Sequence, residues 1–172
     1  MNEAKINTVL ELFEKHRKVP GAAFDQEYFF DFLMKDPKGK GSFRNSFSGL
    51  RRFNAFWDEV QLKFGVCFSI EDRDRDYSLN DFCDRIEELQ KAKRSSKASL
   101  RNRAKYGFEW NIFVFCNVVL IGLAALVHSI FLLACVVWLG IGYLNYKLVS
   151  SHLNEKRYLK ALEAKIHNGT NI

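Results

Sequence analysis

Trp110 to Tyr146 is a run of thirty-seven residues without one Asp, Glu, Lys or Arg, in a chain of 172 residues of which 27% are charged. As a single helix it would reach about 55 Å, against about 30 Å for the hydrocarbon core of a bilayer. The length predicts two antiparallel spans, about 109–126 and 130–146, in a transmembrane hairpin over 108–147 that reverses near Val127, His128 and Ser129. Spans of about seventeen residues are at the short end for a crossing helix. The alternative, a helical hairpin buried inside its own protein, asks 172 residues to wrap a very large apolar unit.

The flanks of the run are basic. Lys91, Lys93, Arg94, Lys97, Arg101, Arg103 and Lys105 precede it over a juxtamembrane segment 91–107, and Lys147, Lys156, Arg157, Lys160 and Lys165 follow it. By the positive-inside rule both termini are then cytoplasmic, the seven residues from Lys91 to Lys105 face an anionic inner leaflet, and Trp110, Tyr143 and Tyr146 sit at headgroup depth. The two halves of the chain differ in sign. Residues 1–90 carry fourteen Lys plus Arg and seventeen Asp plus Glu, a balance of −3, whereas residues 91–172 carry twelve and three, a balance of +9. Met1 to His16 is charged and periodic, without the apolar core of a signal peptide, so export is not expected.

Apolar periodicity predicts a small cytosolic helical domain over 1–90. Ile6, Val9, Leu10 and Phe13 form a first helix that ends before Val19, Pro20 and Gly21; Asp25 is the expected N-cap of a second, with Phe24 stapled on Phe29. Leu50, Phe53, Phe56, Trp57, Val60 and Phe64 make the broad stripe of a third, closed by Gly65. Val66 to Ile70 reads as extended chain or one short strand. Ser78 and Asp81 start a fourth helix with Leu79, Phe82, Cys83, Ile86 and Leu89 inward. That helix either continues through Lys91 towards the apolar run or breaks at Ser95 and Ser96 or at Gly107. Residues 148–172 form a short cytosolic tail helix with Leu153, Leu159, Leu162 and Ile166 on one side, lying on headgroups or packing on the N-terminal domain. The fold class is therefore mostly α.

Little in this chain looks catalytic. His16, His128, His152 and His167 are scattered, and Arg157 and His167 lie too far apart for a ribonuclease-type Arg-His pair. Asp72, Asp74 and Asp76 alternate like the start of a calcium loop, but Tyr77 and Cys83 stand where that loop needs glycine and glutamate. Gly39, Lys40, Gly41 and Ser42 lack the spacing of a phosphate loop. No metal or cofactor is expected, and the four cysteines read as small apolar fillers. Lys38, Lys40, Arg44, Arg51 and Arg52 form a candidate basic patch for nucleic acid or headgroups. Inside the run, Asn117 seeks a hydrogen-bond partner, Gly122, Gly140 and Gly142 permit close helix approach, and Trp138 sits at unusual depth; these five are the helix-contact or pore candidates.

Phe47 to Leu89, with its helix, Phe64-Gly65-Val66, acidic loop and further helix, resembles the second half of an acyl carrier protein, but Gly49 stands where that family carries its phosphopantetheinyl serine. The whole layout of cytosolic domain, charge-free hairpin and short basic tail resembles the two-helix transmembrane effectors of bacterial antiphage systems, such as those accompanying retrons. That resemblance implies a homo-oligomeric effector of the bacterial inner membrane that permeabilises it in abortive infection. The alternative is a membrane-anchored adaptor whose cytosolic N-terminal domain recruits a partner protein, such as a regulatory protein or nucleoprotein, or nucleic acid. Both readings are non-enzymatic.

Overall fold

The computed structural model describes residues 3–34, 43–105, 110–126 and 131–168, and its regular structure there is entirely helical. The helices are α1 (Glu3–His16), α2 (Asp31–Met34), α3 (Phe43–Phe64), α4 (Ile70–Asp74), α5 (Leu79–Lys91), α6 (Lys93–Lys105), α7 (Trp110–Leu126) and α8 (Phe131–Asn168). The chain divides into one unit of Met1–Arg101 with Ala161–Ile172 and a second of Asn102–Lys160.

The first unit is held by an aromatic core. Phe13 and Val9 of α1, Phe29 and Phe30 of the following turn, Phe56, Trp57 and Val60 of α3, Phe68, and Phe82 and Ile86 of α5 are all buried. Phe82 lies at its centre, stacked on Phe68 at 5.5 Å and within 5.1 Å of Trp57, 5.2 Å of Phe30 and 5.7 Å of Phe29. Such ring pairs add about 0.5–1.5 kcal/mol each beyond their area. The indole Nε1 of Trp57 has no hydrogen-bond partner among the described residues.

Local signals explain where several of these helices start and stop. Ser78 caps α5 by accepting from the Asp81 amide at 3.1 Å, and the five residues expected inward on α5 are the five buried ones. Gly65 ends α3 with φ +63°, a left-handed stop that an L residue rarely adopts. A Cβ there would also stand 3.2 Å from the Lys165 carbonyl, because the last turns of α8 pack on this unit with Leu162 and Ile166 buried. Of the two places foreseen for the tail helix, packing on the N-terminal domain is what its end does.

Other expectations are corrected. Asp25 caps no helix: its Oδ1 accepts from the Glu27 amide at 2.9 Å in a tight turn, and α2 begins only at Asp31. Phe24 packs on Phe13 at 4.7 Å instead of stapling Phe29. Leu50, placed in the α3 stripe, is half exposed. No strand occurs among the described residues; 66–69 is irregular chain leading into α4, which Ser69 and Asp72 close with a reciprocal capping box. The helix break falls at Ala92, whose ψ of 60° leaves the helical region, while Ser96 sits buried inside α6. The tail is no separate short helix, since α8 runs unbroken through 148 to Asn168.

The largest correction concerns the membrane. Among the described residues no helix is long and apolar enough to cross one. The charge-free run is shared between α7, whose 17 residues extend about 25 Å, and the front of α8, where Lys147 follows Tyr146. The transmembrane hairpin, the multi-pass inner-membrane location with both termini on one side, and the lipid bilayer as partner are not supported. Gly107, the 127–130 reversal, the 39–42 loop, Lys38 and Lys40 lie outside the described residues.

Candidate interaction surface

In the unit 102–160 the apolar run is left uncovered. Val114, Phe115, Val118, Val119 and Ile121 of α7 are exposed, as are Val136, Trp138, Leu139, Tyr143, Leu144 and Tyr146 of α8, with Leu139 reaching 76%. Of the described side chains in α7 and the front of α8, Ile141 alone is buried. Monomeric proteins rarely leave so much contiguous apolar surface in water.

Asn117 finds its partner within the chain. Its Oδ1 accepts from Asn145 Nδ2 at 2.6 Å, and its own Nδ2 donates to the Phe113 carbonyl at 2.9 Å. The amide pair ties α7 to α8, so the partner that Asn117 seeks is supplied within one chain. Asn145 was legible as the other amide on the far side of the reversal, but nothing in its spacing names the pairing. Gly122, Gly140 and Gly142 face open space, with nothing within 4 Å of a Cβ built on them. Among the described residues they seat no neighbouring helix. Trp138 is half exposed, and Cys116 and Cys135 are exposed as well, unlike the buried Cys67 and Cys83. Burial pushes the Cys83 thiol up to about 11, with the Asp84 charge adding to it, so that thiol stays neutral and inert.

The basic residues of 91–105 separate by role. Arg103 is a structural tie: its Nε donates to Glu155 at 2.9 Å and its guanidinium lies 4.9 Å from the Tyr158 ring centroid, both on α8. Lys91 pairs with Glu87 at 2.8 Å, and Lys93 is half-buried. Arg94, Lys97, Arg101 and Lys105 are exposed and form no ion pair among the described residues. In the second patch, Arg52 is spent on structure, donating to the Leu33 carbonyl at 3.1 Å and to Ser48; Arg51 is exposed, and the Arg44 side chain lies outside the description.

Two polar clusters that spacing alone did not reveal hold the first unit together. The Asp72 carboxylate accepts from Arg85 at 2.9 Å, Tyr77 Oη at 3.1 Å and the Ser69 amide and hydroxyl, each at 2.9 Å. Burial alone would raise its pKa, yet the hydrogen bonds from Arg85 and Ser69 with the Arg85 charge hold it below the usual carboxylate value. Glu59 on α3 takes Lys15 and His16 of α1, each at 2.6 Å, and the Lys15 hydrogen bond lowers its pKa. In both clusters the partners already satisfy the carboxylate, and among the described residues no group of His, Cys, Asp and Glu is arranged to hold a metal ion.

Compared with known proteins, the chain matches no family model, no curated protein and no solved structure.

Proposed function

We propose that this protein is a non-enzymatic assembly protein, in which copies of the chain join through the uncovered apolar surface of α7 and α8 while the aromatic-cored unit is carried as the partner-receiving module. The permeabilising step of the expected effector goes with the membrane crossing; the assembly step is what remains. The exposure of Phe115, Leu139 and their neighbours carries this reading. Those eleven side chains amount to apolar surface on the order of 1,000 Å² per chain, against about 800 Å² per partner in a standard interface. A second copy is the occupant that fits, because a surface without charge meets itself without repulsion and an isologous contact uses it twice.

Sedimentation velocity on the full chain tests this. A discrete oligomer is expected for the wild type and a folded monomer for the Phe115→Glu, Leu139→Glu double variant, with helicity unchanged because both residues are exposed. A monodisperse wild-type monomer, ill-defined aggregates, or an oligomer indifferent to both substitutions would each overturn the reading.

A further inference from the structure

We propose that the outward face of α6 made by Arg94, Lys97 and Arg101 binds the phosphate backbone of duplex nucleic acid. The three residues stand at i, i+3 and i+7, so they line one face of the helix, while Ser96 and Leu100 point the other way and are buried. By helical rise the cations follow one another at about 4.5 Å and about 6 Å, a stripe about 10 Å long. A single DNA strand presents one phosphate per about 3.4 Å of axis, so the stripe spans about three. All three side chains are exposed and unpaired among the described residues, and α6 itself contains no acid to compete for them.

The rest of α6 narrows the kind of polyanion. A helix that inserts into lipid needs an apolar face, and the one large apolar residue of α6, Leu100, is only 8% exposed. A protein partner needs an aromatic or aliphatic anchor at the centre of its interface. Alongside the three cations the face carries Ala98, and no such anchor. The absence of an aromatic ring also removes the stacking platform on which single strands rely. What is left is charge and hydrogen-bond donation at regular spacing, which reads a backbone and no base sequence.

The experiment is fluorescence anisotropy of a labelled DNA duplex two helical turns long, titrated with the full chain at several salt concentrations. For the dissociated double variant described above, a Kd of roughly 10⁻⁴–10⁻⁶ M is expected, with a log–log salt slope near −3 that does not depend on base sequence. Arg94→Gln, Lys97→Gln and Arg101→Gln together should weaken binding about tenfold or more and flatten the slope, with helicity retained. Unchanged affinity in that triple variant, or displacement of the duplex by polyglutamate at equal charge concentration, overturns the proposal. Because the titration needs no assembled protein, a wild type that proved monomeric would leave this test intact.

Discussion

Both units draw on large apolar side chains, and they dispose of them in opposite ways. In the first, Phe13, Phe29, Phe56, Trp57 and Phe82 are each fully withdrawn from solvent; in the second, Phe115, Trp138, Leu139 and Tyr143 are each half exposed or more. The first unit alternates its apolar positions with charges at helical spacing, so each helix has an inside and an outside. Two helices that are apolar all round can cover only a narrow seam on one another, and the remainder stays exposed. Polar groups follow the same division: Asp72 accepts from five donor atoms of Arg85, Tyr77 and Ser69 around a closed core, whereas Asn117 and Asn145 form a single tie between two helices.

The contrast breaks most readily at Phe82. Phe82→Ala should cost the first unit about 3–5 kcal/mol in urea denaturation, since the ring packs against six others and the core cannot collapse onto the gap. A loss below about 1 kcal/mol would mean that the core is not closed.

Asp72→Ala should cost about 2–3 kcal/mol, less than a fully buried pair because Arg85 is nearly a third exposed. The pH dependence has a definite sign. Asp72 has a folded pKa below its ordinary value of 3.8, so its contribution is present above that value and lost as pH falls through the lower folded one. Acid titration of the wild type should therefore lose more stability below about pH 4 than titration of Asp72→Ala.

The hairpin tie is smaller. Asn117→Leu should destabilise the second unit by about 1 kcal/mol because it leaves the Asn145 amide without its acceptor, and adding Asn145→Leu should restore most of that. Strict additivity in this cycle would deny the pairing.

Trp57→Phe should be the mildest change, within about 1 kcal/mol, because the smaller ring loses packing but also removes a buried donor that has no partner among the described residues. Thiol labelling sharpens the comparison without any change to the core. Cys116 and Cys135 should react readily in the dissociated Phe115→Glu, Leu139→Glu variant and more slowly in the assembled wild type, while Cys83 stays unreactive in both. Equal labelling of Cys116 and Cys135 in the two would argue against a covered hairpin.

Much of the first unit was legible in advance. The inward face of α5, the stop at Gly65 and the cap at Ser78 all follow from residues within one or two turns of each other, where geometry is set by the local backbone. The same short range explains the misplaced second helix: Asp25 can cap a helix or close a turn on Glu27, and only the packing of Phe29 and Phe30 into the core selects the turn. The charged residues of 91–105 looked alike in sequence because no local rule separates Arg103, tied to Glu155, from the unpaired Arg94.

The sequence by itself determined that this chain is helical and that its charge-free stretch forms two helices with a basic approach, because periodicity, caps and the absence of charge are local properties. Tertiary structure alone decided that among the described residues no helix is both long and apolar enough to span a bilayer, that Asn117 is answered by Asn145, that Asp72 gathers Arg85 and Tyr77, and that the end of α8 returns to the aromatic unit. Apart from the helix lengths, each of these depends on which distant segments meet. A uniformly apolar or uniformly basic stretch has no periodic face from which that meeting could be read.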